Sequence, residues 1–199
     1  MEALFIAGHP ALDLLNTRPT PRGVAEELIG DGRAFARWLE KAGLLGDESA
    51  AKLERRLGGA ALDAAATEAR KLREWSRDWL SRRQEAPRRD YEAERRRLNR
   101  MLEGARSWRE LVETPDGLRL VERPRLEAAE DLIGFLAAQI GALVAGEPTA
   151  LVKRCAGADC TLWFVDRTKA HGRRFCSAAA CGNRAKVAAF RERQRKTGR

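Results

Sequence analysis

Apolar residues recur every three or four positions through most of residues 30–103, which is the pattern of amphipathic helices. Glycine and proline interrupt this pattern, and residues that cap helices precede several of its segments. We therefore predict helices over residues 33–42, from Asp47 or Ser49 to the Gly58-Gly59 pair, over residues 62–85, and over residues 88–103. Asp31 is the predicted N-cap of the first of these helices. A shorter helix is predicted over Ala11–Asn16.

The hydrophobic period changes after residue 107. Apolar and polar residues alternate on both sides of Asp116-Gly117, which predicts a β-hairpin that turns there. Pro124 is predicted to open the most apolar helix of the chain, which ends at Gly146. Because the second half of this helix is apolar on nearly every side, we expect it to run through the middle of an N-terminal domain.

Beyond Pro148, short apolar segments predict strands over residues 151–154, 162–166 and 173–175, followed by a helix over residues 180–194. Val187 and Phe190 form an apolar stripe on that helix, and we expect the stripe to pack on Trp163, Phe164 or the N-terminal domain. The sequence thus predicts a mainly α protein with small β-hairpins. A helical domain over residues 1–148 is followed by a small second domain over residues 149–199.

All four cysteines of the 199-residue chain lie in this second domain, in two C-x4-C pairs separated by fifteen residues. Two such pairs suit a tetrahedral zinc site, whereas two disulfides are the alternative. We predict one structural Zn²⁺ bound by Cys155, Cys160, Cys176 and Cys181. Four thiolates leave no open coordination position, which argues against zinc catalysis. His171 is a less favoured replacement ligand. The hairpin followed by a helix is typical of a treble-clef finger.

Charge separates the two domains. Residues 151–199 hold 13 lysines and arginines against three acidic residues, a formal charge of +10, so that residues 1–150 carry −1. A polyanion is the plain partner for such a module. Arginines are also dense in residues 88–103, but acidic residues lie among them, which favours a solvated helix surface there.

The motif Cys181-Gly182-Asn183-Arg184, with the preceding cysteines and hairpin, resembles the CGNR zinc-finger family. Residues 9–18, HPALDLLNTR, resemble the opening motif of the ABATE domain that usually precedes that finger. The resemblance implies a bacterial, stress-induced transcription regulator, in which a helical ligand-sensing domain is joined to a DNA-binding finger. The alanine, arginine and glycine content is compatible with a bacterial genome of high GC content.

The predicted nucleic-acid contacts are basic or amide side chains of the finger's loop and helix: Arg167, Lys169, Arg173, Arg174, Asn183, Arg184, Lys186, Arg191, Arg193 and Arg195. Double-stranded DNA is the favoured partner, and an RNA- or ribosome-associated zinc protein is the alternative. Trp163 and Phe164 discriminate between the two, because exposed aromatic rings that stack on bases favour RNA.

The polar residues His9, Asp13, Asn16 and Arg18 are bunched near the N-terminus. They are candidates for binding a small-molecule effector, but caps and hydrogen-bonded anchors are the favoured interpretation. Nothing in the chain supplies a nucleophile and base pair or a glycine-rich phosphate loop, so we do not expect an enzyme. The alternative role of the helical domain is to form a homodimer.

Met1–Ala7 lacks the basic start of a secretory signal, and no apolar run approaches the length of a membrane span. Paired cysteines in such a chain fit the reducing cytoplasm, where thiolates bind metal. The sequence therefore predicts a cytoplasmic protein without a membrane partner.

Overall fold

The structure, a computed structural model, describes residues 5–20 and 23–197. These residues form two compact units. Unit 1 contains the residues up to Leu28 together with those from Glu147 onward, and unit 2 contains Ile29–Gly146. The N-terminal segment thus groups with the cysteine-containing quarter of the chain, whereas the sequence placed it in the helical domain. Residues 1–4, where the absence of a signal was predicted, lie outside the described residues.

Unit 2 is built on helices close to those that the hydrophobic period predicted. They are α2 (Gly32–Lys41), α3 (Ala50–Leu57), α4 (Gly59–Glu85), α5 (Glu92–Leu102) and α6 (Asp131–Gly146). Asp31 caps α2 by accepting the N–H of Ala34 at 2.7 Å, and Ser49 caps α3 by accepting the N–H of Lys52 at 3.3 Å. Asp31 was the predicted cap, and Ser49 was one of the two predicted starts of α3.

The long helix α4 is the centre of unit 2, since it packs against α2, α3 and α6. Its buried face includes Leu62, Leu72 and Trp79. Gly32 allows α2 to approach closely, because a Cβ at this position would lie 2.6 Å from the backbone of Leu62 and Asp63. The carboxylate of Asp63 also accepts the N–H of Gly32 at 2.7 Å.

Helix α5 begins at Glu92, four residues later than predicted. The Tyr91 hydroxyl donates to the carbonyls of Arg82 and Ala86 at 2.6 and 3.0 Å, which holds the chain in a turn after α4. The arginines of α5 are exposed, and two of them pair with acids: Arg95 with Asp90 and Arg96 with Glu92. This is the solvated helix that the charge pattern favoured.

A hairpin of β1 (Ser107–Thr114) and β2 (Gly117–Pro124) follows, as predicted. Pro124, however, ends β2 rather than opening α6. The carboxylate of Asp131 accepts the N–H groups of Glu127 and Ala128, both at 2.8 Å, so the chain turns before α6 starts. Helix α6 buries one face, through Leu132, Leu136, Ile140 and Leu143, while Ala142 and Ala145 are exposed. The predicted enclosure on all sides is therefore wrong.

Unit 1 contains α1 (Pro10–Leu15), β3 (Val152–Arg154), β4 (Trp163–Val165) and α7 (Asn183–Thr197). Strands β3 and β4 pair antiparallel. Residues 173–175 do not form the predicted return strand, because their loop is organised instead by hydrogen bonds to Asp166 and to the segment around Cys155. In the described part of the chain, no helix combines the length and apolarity that crossing a bilayer requires.

Candidate zinc centre and nucleic-acid interface

The four cysteines meet at one point in unit 1. Their Sγ atoms all lie within 4.8 Å of one another, and those of Cys155, Cys176 and Cys181 belong to buried residues. The Sγ atom of Cys176 is 3.8 Å from that of Cys160 and 3.5 Å from that of Cys181. Thiolates bound to zinc at about 2.3 Å in a tetrahedron are separated by about 3.8 Å, so this spacing fits a zinc ion.

Local structure places each pair of thiols. Cys155 follows β3 and Cys160 precedes β4, so the pairing of these strands closes the first knuckle. Cys181 lies in a π-helical turn, Ala178–Gly182, that leads into α7. The hydroxyl of Ser177 caps this turn by accepting the N–H of Ala180 at 3.3 Å.

Backbone N–H groups support the sulfur of Cys155. The N–H of Gly157 lies 3.4 Å from this Sγ atom, and the N–H of Cys176 lies 3.3 Å from it. Such donors stabilise thiolate charge and orient the ligand. Gly157 also leaves room, since a Cβ there would lie 3.3 Å from the Sγ atom of Cys181.

The protonation of the clustered thiols shows why a cation belongs among them. A hydrogen bond from Cys176 lowers the pKa of Cys160 to about 5. The same contact, followed by burial, raises the pKa of Cys176 far above its usual range. Four sulfurs this close cannot all ionise without a compensating positive charge, and Zn²⁺ supplies that charge by displacing the protons.

Arg184, the last residue of the CGNR motif, faces this centre. Its guanidinium donates to the Sγ atom of Cys181 at 3.0 Å, and this bond raises the pKa of Arg184. Four thiolates and one Zn²⁺ carry a net charge of −2, which the guanidinium partly offsets. Arg184 was predicted to contact nucleic acid, and the structure gives it this partner at the zinc centre.

The loop between the two cysteine pairs is organised by Asp166, which is fully buried. Its carboxylate accepts the ammonium of Lys153 at 2.6 Å and the N–H of Arg173 at 2.8 Å, and it also bonds both the N–H and the hydroxyl of Thr168. Burial alone raises the pKa of this carboxyl, but the four donors together hold it well below its usual range. Asp166 therefore fixes the loop as an anion.

The N-terminal segment completes the finger. The side chain of Asn16 pairs with the backbone of Trp163: its Oδ1 accepts the N–H at 2.8 Å and its Nδ2 donates to the carbonyl at 2.9 Å. The carbonyl of Ala7 accepts the N–H of Val165 at 2.8 Å. These bonds satisfy the edge of β4 that does not face β3, an edge whose backbone groups otherwise lack partners.

The other candidate effector residues have local roles as well. His9 is the N-cap of α1, and its Nδ1 accepts the N–H of Ala11 at 3.2 Å, while burial lowers its pKa. Asp13 accepts the N–H of Ala7 at 3.3 Å, and burial raises its pKa to about 6. Arg18 is exposed, and its carbonyl faces the Thr161 hydroxyl at 3.5 Å. The side chains of His9, Asp13 and Asn16 thus bond backbone groups of unit 1.

The predicted nucleic-acid residues divide into two groups. Arg167 pairs with Glu147, and Arg173 donates to the carbonyls of Phe175 and Cys176. These two, with Arg184, have partners within unit 1. The remaining predicted side chains are exposed on the loop and on α7: Lys169, Arg174, Asn183, Lys186, Arg191, Arg193 and Arg195.

The aromatic and apolar residues of the finger are distributed differently from the prediction. Trp163 and Phe164 are 1% and 0% exposed, and the guanidinium of Arg173 lies 4.2 Å from the Phe164 ring centroid. Val187 and Phe190 are 48% and 55% exposed, so the stripe on α7 does not pack as expected. Phe164 packs instead among the cysteines and Ile6, and the guanidinium of Arg154 lies 5.7 Å from the Trp163 ring centroid.

Sequence reasoning missed the partner of Asn16 and the structural role of Asp166. A buried asparagine that pairs with backbone 147 residues away leaves no local signal in the sequence. Asp166 did leave one, because an aspartate two residues before a threonine often starts a turn through its side chain.

Comparison with known protein families agrees with this architecture. The sequence model of the CGNR zinc finger matches residues 152–194. The ABATE model, described as "Putative stress-induced transcription regulator", matches residues 8–147. No curated protein matches the chain. Neither family is described as an enzyme, and the four cysteines form the structural zinc site of the finger. The chain belongs to the ABATE family, with a CGNR zinc finger as its C-terminal part.

Proposed function

We propose that the protein is a DNA-binding transcription regulator whose zinc finger binds duplex DNA mainly through its phosphates. The observation that supports this proposal most strongly is the exposed basic surface of α7, on a segment whose formal charge is +10. Lys186, Arg191 and Arg195 lie on that helix, and no described residue forms an ion pair with them. When cations without acidic partners neutralise DNA phosphates, the counterions condensed on the DNA are released, and this release drives binding.

The zinc centre supports the proposal by making the basic surface rigid. Helix α7 starts directly after Cys181 and Gly182, both of which are buried. The metal therefore fixes the first turn of the helix that carries the cations. A rigid presentation reduces the conformational entropy lost on binding. Because the site has four protein ligands, we assign it a structural role and no catalytic one.

Duplex DNA is a better partner for this surface than single-stranded RNA. Recognition of single strands relies on aromatic side chains that stack on bases. Trp163 and Phe164, the candidates for that role, are buried in the finger. Competition between a duplex DNA and a single-stranded RNA of equal length would separate the two partners, and preferential binding of the RNA would contradict the proposal.

The test of the binding mode is the dependence of affinity on salt. For about five neutralised phosphates, a plot of log K against log salt concentration has a slope of about −4 to −5. Arg191→Ala and Arg195→Ala should each make the slope shallower by about one. Arg96→Ala is the matched control, since Arg96 is 71% exposed but pairs with Glu92 on α5. A flat salt dependence of the wild type would rule out the phosphate mode.

We also propose that the protein binds a small-molecule effector, and that the effector binds in unit 2. A cavity of about 530 Å³ lies between the Gly43–Glu48 segment and the hairpin, with Trp108, Val121, Phe135 and Gln139 in its lining. Small-molecule sites are cavities of this size, and the lining here combines apolar side chains with charged ones such as Asp47, Arg56 and Glu110. We therefore place an effector here rather than at His9 and its neighbours. A thermal-shift screen of metabolites on the full chain, repeated with Trp108→Ala, tests this; hits unaffected by the substitution would place the site elsewhere.

A further inference from the structure

One face of the β1–β2 hairpin carries three leucines that are largely exposed. Leu111 is 61% exposed, Leu118 72% and Leu120 59%. Leu111 and Leu120 are cross-strand partners, and Leu118 lies two residues from Leu120 on the same face. The opposite face is partly buried through Val112 and Val121. A contiguous apolar face of this kind usually marks an interaction surface.

Charged residues border these leucines in an ordered way. Arg109 and Glu113 lie two residues on either side of Leu111, on the leucine face, and both are exposed. Glu122 lies across from Arg109 in the strand register and accepts the hydroxyl of Ser107. Neither Arg109 nor Glu113 has an ion-pair partner among the described residues. The face therefore has a cationic and an anionic residue on opposite sides of an apolar centre.

We propose that this leucine face is a homodimer interface, in which two copies of the hairpin pack face to face. A two-fold axis in the plane of the interface and across the strands places Arg109 of one copy opposite Glu113 of the other. An axis along the strands places it opposite Glu122. In both arrangements Leu111 and Leu120 of one copy meet those of the other, while Leu118 lies opposite Glu122 or Glu113 at the edge of the contact. The apolar centre of the face is therefore complementary to itself, as a two-fold interface requires.

The size of the face sets the strength of the dimer. Eight-residue strands are about 26 Å long, and two strands are about 10 Å wide, so the contact is smaller than a standard interface of about 800 Å² per partner. The dimer is therefore reversible and depends on concentration. It brings two zinc fingers into one particle, but its formation does not depend on whether the fingers bind DNA.

Sedimentation velocity on the zinc-loaded full chain, from about 1 to 300 µM, tests the proposal. The weight-average mass should rise with concentration from 22.2 kDa toward twice that value. Leu111→Glu should raise the dissociation constant at least tenfold, because it places a carboxylate at the centre of the apolar row. Leu118→Glu, at the most exposed of the three leucines, should have the same effect without disturbing the fold, which circular dichroism would check.

Further variants separate a specific interface from non-specific association. Val24→Glu removes a 69% exposed apolar side chain in unit 1 and should leave the dimer unchanged. Arg109→Glu and Glu113→Arg should each weaken the dimer. If the axis runs across the strands, the two substitutions together should restore it. Exchange of Arg109 with Glu122 should restore it for the other axis. A wild type that stays monomeric over the whole range, or leucine variants that associate like the wild type, would overturn the proposal.

Discussion

Replacing Asn16 by alanine should loosen the whole finger, although this residue lies 147 positions before its partner. The asparagine side chain satisfies both the N–H and the carbonyl of Trp163, at 2.8 and 2.9 Å, and it is only 4% exposed. Each buried backbone group left without a partner costs about 1–3 kcal/mol. We expect a loss of about 2–4 kcal/mol for the pair, because water reaches part of the vacated space.

Hydrogen–deuterium exchange of the zinc-loaded protein measures this loss where it arises. At about 1.4 kcal/mol for each factor of ten, the amides of β4 should exchange about 30- to 700-fold faster in Asn16→Ala. Peptides from α4 in unit 2 should be unaffected. Asn99→Ala is the control, since Asn99 is an exposed asparagine on α5. Exchange in β4 within about threefold of the wild type would refute the view that Asn16 holds the strand edge.

Three further predictions concern the two units separately. Cys176→Ser should abolish zinc binding and unfold unit 1, including α1, while unit 2 stays folded. Metal analysis measures the loss of zinc, and circular dichroism measures the loss of structure. Asp13→Asn should stabilise unit 1 by about 1–2 kcal/mol at pH 7, because it removes a carboxylate whose ionisation is opposed by burial. The gain in stability is smaller than the full pKa difference would give, because the side chain is partly exposed. The raised pKa of about 6 means that the wild type loses stability as the pH rises from about 4 to 6, and urea unfolding across this range should show no such loss in the variant. Gly32→Ala should destabilise unit 2 by about 1–3 kcal/mol through a clash with the α4 backbone, whereas Gly59→Ala, with open space around it, should not lower the melting temperature.

The sequence predicted those features whose signals are local. The cysteine spacing indicated the zinc site because two pairs and a connecting segment are enough to build it. Asp31 indicated the start of α2 because an N-cap bonds a backbone group three residues away. The prediction for Pro124 was wrong because proline suits a helix start and a strand end equally. The start of α6 is set instead by the side chain of Asp131, seven residues later.

Features that depend on distant partners were not predictable in this way. No sequence signal in residues 5–20 indicates that they pack with the finger, because the bonds from Asn16 and Ala7 exist only once the chain has folded. The exposure of Val187 and Phe190 has a similar origin. An apolar stripe on a helix predicts burial, but the surfaces expected to receive this one were already covered.

The pairing of Asn16 with Trp163 also bears on how the protein is made. At about 5–20 residues per second, a ribosome needs about 7–30 s to add the 147 residues that separate them. During that time β4 has not been made, so the leucines of α1 lack the strand that α1 contacts in the folded protein. Chaperones can bind the exposed segment in this interval. The four zinc ligands, Cys155 to Cys181, are made in the same interval as Trp163, so the metal site and the pairing with Asn16 become possible at about the same stage of synthesis.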